Sequence, residues 1–194
     1  MRKIIFYLVN SLTWYRLVTA PILLALVIGH QWSFFKWLLV ASFITDATDG
    51  ILSRSYKVNS ERGSMLDSIA DDLTIIAAIA GVLAYRPQFV PQHITSVSLL
   101  LFCYLFQLTV ALARYHKMSS FHTYLSKLAA ILQGIFLVAF FFLPEVSDWL
   151  FFTVVWTTIT ALAEETILVI VLPQWKANVK GIYWLVKYGK RIIP

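Results

Sequence analysis

Four aspartates lie in one polar stretch between two strongly apolar segments, and their spacing divides them into two pairs. Asp46 and Asp49 stand three residues apart, and Asp67 and Asp71 stand four apart. These spacings place each pair on one face of a helix, so a helical hairpin would bring the four carboxylates together. Carboxylates that close repel each other unless protons or cations neutralise them. We therefore expect a site for Mg²⁺ or Mn²⁺, which prefer oxygen ligands. The alternative is a set of aspartates that only cap helix ends.

The composition around these residues is that of a membrane protein. Of 194 residues, 59 % are hydrophobic and 13 % are charged, and the mean hydropathy is +0.75. This length suits a single domain, predicted to cover residues 1–194. The single cysteine, Cys103, excludes an intrachain disulfide.

Six apolar segments have about the length that crosses 30 Å of hydrocarbon. We predict an all-α polytopic membrane protein with six spans around a polar cavity, at about 11–30, 33–53, 66–85, 93–113, 127–143 and 148–172.

Both ends of the chain are predicted to form short amphipathic helices on the membrane surface. At the N-terminus, the apolar run stops at Asn10 and lacks a signal-peptide cleavage site. At the C-terminus, a basic amphipathic helix is expected at about 174–193, with a solvated charged tail as the alternative. Its apolar face would contain Trp175, Val179, Ile182 and Val186, and its basic face Lys176, Lys180, Lys187 and Arg191.

The basic residues predict the orientation of the chain. Fourteen of the sixteen Lys and Arg fall on one predicted side, and only Lys36 and Arg86 fall on the other. Because cytoplasmic loops carry the excess of Lys and Arg, both termini and the polar cavity are expected to face the cytoplasm. We expect the membrane to be the inner membrane of a bacterium.

The full polar pattern resembles a family signature. It reads Asp46-x-x-Asp49-Gly50-x-x-Ser53-Arg54, eight residues, then Gly63-x-x-x-Asp67-x-x-x-Asp71. It is similar to the signature of the CDP-alcohol phosphotransferases, which are integral membrane enzymes, and differs only at Ser53, where the family has Ala.

The resemblance implies transfer of a phosphatidyl group from CDP-diacylglycerol to a small polyol or polyol phosphate, with release of CMP. It implies two divalent ions, Mg²⁺ or Mn²⁺, and a homodimer; no nucleic acid is expected as a partner. The implied metal ligands are Asp46, Asp49, Asp67 and Asp71, and Asp71 is also the candidate general base. The implied nucleotide- and phosphate-binding residues are Asp49, Gly50, Ser53, Arg54, Gly63 and Asp67.

The acceptor is less well defined by the sequence. The pattern Asn10-x-x-Thr13-x-x-Arg16 resembles the start of the first span in phosphatidylglycerophosphate synthases, against the alternative of a helix cap and a snorkelling arginine. Arg114, Lys127 and Arg16 are candidate acceptor-binding residues. Residues 126–133 keep one Lys and the Gln of the pattern usual in those synthases but lack its second Lys and its Thr.

Three alternatives therefore stay open. The first choice is glycerol 3-phosphate as the acceptor, and cardiolipin- or phosphatidylinositol-type synthesis stands behind it. A divalent-cation transporter is the alternative from another functional class.

Glu164 and Glu165 lie inside the sixth predicted span, where a pairing with Arg16, Arg114 or Lys127 is favoured over contact with the acceptor.

Overall fold

The computed structural model describes residues 2–56, 61–116, 123–145, 147–172, 179 and 181–188. The side chains at positions 2–6, 9, 53, 54, 61–65, 67, 68, 72, 186 and 188 lie outside this description. Within the described ranges the chain contains no strand, and its helices are α1 (Arg2–Ile28), α2 (Trp32–Tyr56), α3 (Glu61–Tyr85), α4 (Phe89–Gln92), α5 (Ile94–Tyr115), α6 (Tyr124–Phe142), α7 (Asp148–Val171) and α8 (Ile182–Tyr188). The predicted all-α class is confirmed.

Each of the six predicted spans coincides with a long helix. In the described part of the chain, four helices are long and apolar enough to cross a membrane: Asn10–Ile28 within α1, and the whole of α5, α6 and α7. Helices α2 and α3 have 25 residues each, or about 37 Å at 1.5 Å per residue. They carry the aspartates and are not among the four, so a six-span arrangement stays a prediction.

The predicted N-terminal helix is not a separate element but is continuous with the first predicted span, and its position on the membrane surface stays a prediction. Residues 2–28 form one continuous helix. No Gly or Pro occurs before Pro21 to interrupt it, and the hydroxyl of Ser11 donates a hydrogen bond to the carbonyl of Tyr7, one turn back, at 2.8 Å. Asn10 and Ser11 therefore lie inside the helix instead of ending it.

Of the predicted C-terminal helix, the described part is helical from Ile182 to Tyr188. Val179 and Gly181 are not helical, and α8 starts at Ile182. Gly181 has a φ of 137°, which is open to glycine and strained for other residues, so the chain turns here before the helix begins. The predicted positions 174–178, 180 and 189–193 lie outside the described residues.

The contacts within the chain define two compact units. The first comprises Met1–Pro91 and Leu137–Pro144, and therefore contains α1, α2 and α3. The second comprises Gln92–Phe136 and Glu145–Pro194, and contains α5, α7 and α8. Helix α6 contributes its last residues to the first unit and the remainder to the second.

In the first unit, α1 packs against both α2 and α3 along a regular seam. Its buried positions include Thr13, Arg16, Ala20, Leu23 and Val27, with Thr19 beside them. The alternating spacing of three and four residues among these five places them on one helix face. Helix α3 presents a seam of the same kind, buried at Ala70, Thr74 and Ala77. Because alanines dominate the α3 seam, the two backbones can approach closely.

The second unit is built on the pairing of α5 with α7. Ala111 of α5 and Leu168, Val169 and Leu172 of the α7 region form a buried apolar cluster. The hydroxyl oxygen of Tyr115 lies 3.0 and 2.7 Å from the carbonyl oxygens of Val169 and Leu172, so its one proton is shared between these two acceptors. This contact serves carbonyls that the end of α7 leaves without helical partners. Val179, Ile182 and Leu185 pack on the same cluster, and so dock α8.

Candidate active site

Three helices of the first unit bring charged side chains together at one point. Asp46 and Asp49 lie in the second half of α2, and Asp71 lies in the first half of α3. Arg16 of α1 reaches all three: its Nη1 is 2.9 Å from Asp46 Oδ1 and 3.6 Å from Asp49 Oδ2, and its Nη2 pairs with Asp71 Oδ1. The predicted meeting of the two aspartate-bearing helices is therefore observed for these three carboxylates.

The three carboxylates differ in their exposure to solvent. The side chain of Asp49 is 3 % exposed, whereas those of Asp46 and Asp71 are 45 % and 40 % exposed. The Arg16 side chain is 2 % exposed. An isolated buried charge is strongly unfavourable, so Asp49 and Arg16 require each other. Asp46 and Asp71 form the accessible side of the site.

The spacing of apolar residues along α2 explains why Asp49 is buried. Phe35, Ser42 and Asp49 are seven residues apart and all buried, while Ile44 and Ile51 are exposed. Seven residues are close to two helical turns, so these three positions share one face of α2. Asp49 therefore continues the inward face, and the outward face is apolar, as a surface in contact with lipid tails is.

The sequence predicts that Arg16 binds the acceptor, whereas in the structure its guanidinium lies among the carboxylates of the aspartates. Arg16 occupies one position of the buried α1 seam, one turn after the buried Thr13. The alternative of an arginine that snorkels to the membrane surface is wrong, because the side chain is buried and ion-paired. The signal for this pairing was in the sequence: a lone arginine in an apolar helix requires an acidic partner.

The residues at this point fit a divalent cation chemically. They supply carboxylate oxygens from two helices, and carboxylates are the ligands that Mg²⁺ and Mn²⁺ prefer. They already hold one positive charge in common, the Arg16 guanidinium. Among the described side chains, no group of three or more His, Cys, Asp or Glu is arranged to hold a metal ion. The metal ligands remain a prediction.

Several predicted site residues lie outside the described side chains. These are Ser53, Arg54, Gly63 and Asp67; their backbones belong to α2 and α3. Gly50 is described and follows Asp49 in α2, where it is partly buried.

Two of the predicted acceptor residues belong to the second unit. Arg114 donates a hydrogen bond to the carbonyl of Leu172 at 3.3 Å, and so helps to satisfy the end of α7. Lys127 is exposed, and its ammonium lies 5.6 Å from the centre of the Tyr124 ring. Arg16 belongs to the first unit, and the three residues do not form one group within either unit.

Sequence reasoning missed the polar pairs inside the second unit. The amide of Gln133 donates a hydrogen bond to the hydroxyl of Thr158 at 2.9 Å, and that of Gln107 donates to Glu165 at 3.4 Å. Glu164 accepts a hydrogen bond from the backbone N–H of Ile182 at 3.0 Å. Glu164 therefore caps the start of α8, where the sequence predicts a basic partner. Partners of this kind are set by packing and carry no local signal.

Comparison with known proteins identifies the class. The family model described as CDP-alcohol phosphatidyltransferase matches residues 6–163, which is most of the chain and runs through both units. The chain therefore belongs to the CDP-alcohol phosphatidyltransferase family. This confirms the resemblance, and membership of an enzyme family argues against a divalent-cation transporter.

Three curated relatives show how far the similarity extends. A CDP-diacylglycerol–glycerol-3-phosphate 3-phosphatidyltransferase of Cereibacter sphaeroides is 35 % identical over 97 residues, 48 % of this chain and 43 % of the relative. A CDP-diacylglycerol–inositol 3-phosphatidyltransferase of Saccharomyces cerevisiae is 28 % identical over 109 residues, 56 % of this chain and 43 % of the relative. A probable phosphatidylglycerophosphate synthase of Mycobacterium tuberculosis is 41 % identical over 81 residues, 39 % of each chain.

The chain thus spans less than half the length of the curated relatives that it matches. No solved structure matches it at a significant level.

Proposed function

We propose that this protein transfers a phosphatidyl group from CDP-diacylglycerol to a small polyol or polyol phosphate and releases CMP. The observation that carries the proposal is the meeting of Asp46, Asp49 and Asp71 at one point of the first unit. These residues belong to a pattern typical of the family. The site is anionic, and its substrate carries a pyrophosphate, so the proposal includes divalent cations.

When bound, two Mg²⁺ or Mn²⁺ ions would neutralise the pyrophosphate and polarise the phosphorus under attack. Asp46, Asp49, Asp67 and Asp71 are the proposed residues that hold them. Gly50, Ser53 and Gly63 are small and allow the nucleotide to approach the backbone. Arg54 supplies a guanidinium for phosphate.

Asp71 is the proposed general base. In the reaction, the acceptor oxygen forms a bond to the β-phosphorus, the bond from that phosphorus to the CMP oxygen breaks, and the acceptor proton needs a receiver. Asp71 is 40 % exposed, unlike the buried Asp49, so a substrate can approach its carboxylate. A carboxylate within hydrogen-bond reach of the attacking hydroxyl accepts the proton as the bond forms.

Glycerol 3-phosphate is the first candidate for the acceptor, and inositol is the second. Relatives named for each of these acceptors match the chain at 35 % and 28 % identity. Residues 126–133 lack the second Lys and the Thr of the phosphatidylglycerophosphate synthase pattern, and this weighs against glycerol 3-phosphate. Lys127 is exposed and is the proposed contact for a phosphorylated acceptor.

The membrane arrangement is part of the same proposal. Six spans would comprise α1, α2, α3, α5, α6 and α7, with the aspartates near the cytoplasmic side of a bacterial inner membrane. The bias of Lys and Arg supports this orientation. A homodimer is proposed from family membership alone.

The test is a reconstitution with defined substrates. Purified protein in detergent is incubated with CDP-diacylglycerol, Mg²⁺ and one acceptor at a time: glycerol 3-phosphate, inositol or phosphatidylglycerol. CMP is quantified and the lipid product is identified by mass spectrometry. The Asp71→Asn variant is expected to bind CDP-diacylglycerol normally and to lose about 10²–10⁴ in kcat. Absence of CMP release with every acceptor would refute the proposed function.

A further inference from the structure

Arg16 occupies the carboxylate oxygens that the proposed metal site would use. Its Nη1 lies within ion-pair distance of one oxygen of Asp46 and one of Asp49, and its Nη2 pairs with Asp71. A guanidinium donates hydrogen bonds to carboxylate lone pairs, and a metal ion accepts the same lone pairs. The two cations therefore compete for the same atoms.

We propose that Arg16 is a built-in counter-ion that holds the aspartates together in the metal-free protein and is displaced, at least in part, by the metal. This rests on the proposed function, because it takes the aspartates to be metal ligands. It assigns Arg16 as a positioning residue that lowers metal affinity and maintains the helix packing in the absence of metal.

The position of Arg16 in the fold explains why such a counter-ion is needed. Without a positive charge, Asp49 would be a buried carboxylate beside two further carboxylates, on helices that pack directly against each other. That arrangement is unstable through both desolvation and repulsion. Arg16 replaces the repulsion with three attractive contacts, so α1, α2 and α3 can pack before any metal binds.

The planar shape of the guanidinium suits this role. Its two terminal nitrogens face different carboxylates: Nη1 faces those of α2, and Nη2 faces that of Asp71 on α3. A lysine ammonium is a single point of charge on a flexible stem and does not provide the same fork. In Mn²⁺ affinity and in melting temperature, Arg16→Lys is therefore expected to lie between the parent protein and a variant with a neutral side chain at this position.

The experiment compares Arg16→Met with the parent protein and with Arg86→Met as a control. Arg86 belongs to the same unit, donates a hydrogen bond to the carbonyl of Leu143 and lies over the rings of Tyr85 and Phe140. Its loss should disturb packing without affecting the aspartates. Binding of Mn²⁺ alone is measured by electron paramagnetic resonance, and unfolding is followed by tryptophan fluorescence in EDTA and in Mn²⁺.

Arg16→Met should bind Mn²⁺ about tenfold to a hundredfold more tightly, as expected when a competing set of charge-assisted hydrogen bonds is removed. It should melt at a lower temperature than the parent in EDTA, and gain more from Mn²⁺. Arg86→Met should melt lower with unchanged Mn²⁺ affinity. A purely structural Arg16 would behave as Arg86 does, because loosened helices do not bind metal more tightly.

Mn²⁺ affinity that is unchanged or weaker in Arg16→Met overturns the inference while leaving the proposed function in place. If the parent binds no Mn²⁺ and releases no CMP, the proposed function fails, and the inference fails with it. If Arg16→Met does not fold in EDTA, Arg16→Lys decides the matter, since it must then bind Mn²⁺ more tightly than the parent protein.

Discussion

Asp46 and Asp49 test whether distance or burial decides the strength of an ion pair in this protein. Asp46 is the closer partner of Arg16, at 2.9 Å against 3.6 Å, but Asp49 is the buried one. With an effective dielectric constant of about 20 for the buried pair, the Coulomb attraction is about 5 kcal/mol. For the half-exposed pair with Asp46, screening by the surrounding water reduces the attraction to about 1 kcal/mol, and exposed pairs often contribute less. Burial should therefore decide the outcome.

We expect Asp49→Asn to destabilise the metal-free protein by about 3 kcal/mol, because Arg16 is left buried with less compensating charge. Part of the lost attraction is offset, because a neutral amide at this position costs less desolvation than a carboxylate. Asp46→Asn should cost about 0–1 kcal/mol. For a protein of this size, the first value corresponds to a fall of roughly 6–12 °C in melting temperature.

The assay is thermal unfolding in EDTA, followed by the fluorescence of the seven tryptophans. The two variants make the same chemical change one turn apart on one helix, so each serves as the matched control for the other. An Asp46→Asn variant that melts as low as, or lower than, Asp49→Asn would refute the reasoning.

Four further outcomes are expected. Gly81→Ala should destabilise the first unit by about 1–3 kcal/mol, because its Cβ would lie 2.5 Å from Cζ of the buried Phe35. Gly134→Ala, where a Cβ meets nothing within 4 Å, should be neutral or stabilising in a melting assay; equal loss in both variants would contradict this. Gly181→Ala should release α8, because its Cβ would lie 2.8 Å from Glu164 Oε1 at a φ of 137°. In a Cys103→Ser background, a cysteine at Leu185 should then react faster with a thiol reagent, while one at the exposed Tyr183 should not change; an unchanged rate at Leu185 would show that α8 stays docked. Lys127→Ala should raise the KM for glycerol 3-phosphate about tenfold to a hundredfold but not that for inositol, and equal effects on both would remove Lys127 from phosphate recognition. A cysteine at the exposed Gln88 should react with an impermeant thiol reagent added outside intact cells, and labelling only after permeabilisation would reverse the proposed orientation.

The helices and the aspartate pattern followed directly from the sequence. Long apolar segments can satisfy their backbone hydrogen bonds only as helices within a membrane, and each predicted span coincides with one. The spacing of Asp46 and Asp49 requires that they project from neighbouring positions on α2, whatever the remainder of the chain does. Family membership followed from the same residues, because the pattern joins eight fixed positions at set distances.

Tertiary packing alone decided what surrounds these residues. Asp49 is buried and Asp46 is half exposed because α1 and α3 cover one side of α2, and a helical spacing does not specify which side is covered. Arg16 meets the aspartates because the seams of α1 and α3 are lined by Ala20, Ala70 and Ala77, whose small side chains let the backbones approach. Glu164 meets the N–H of Ile182, 18 residues later, only because α8 docks on α7. Spacing along the chain determines which residues share a helix face, and the packing between helices determines what that face meets.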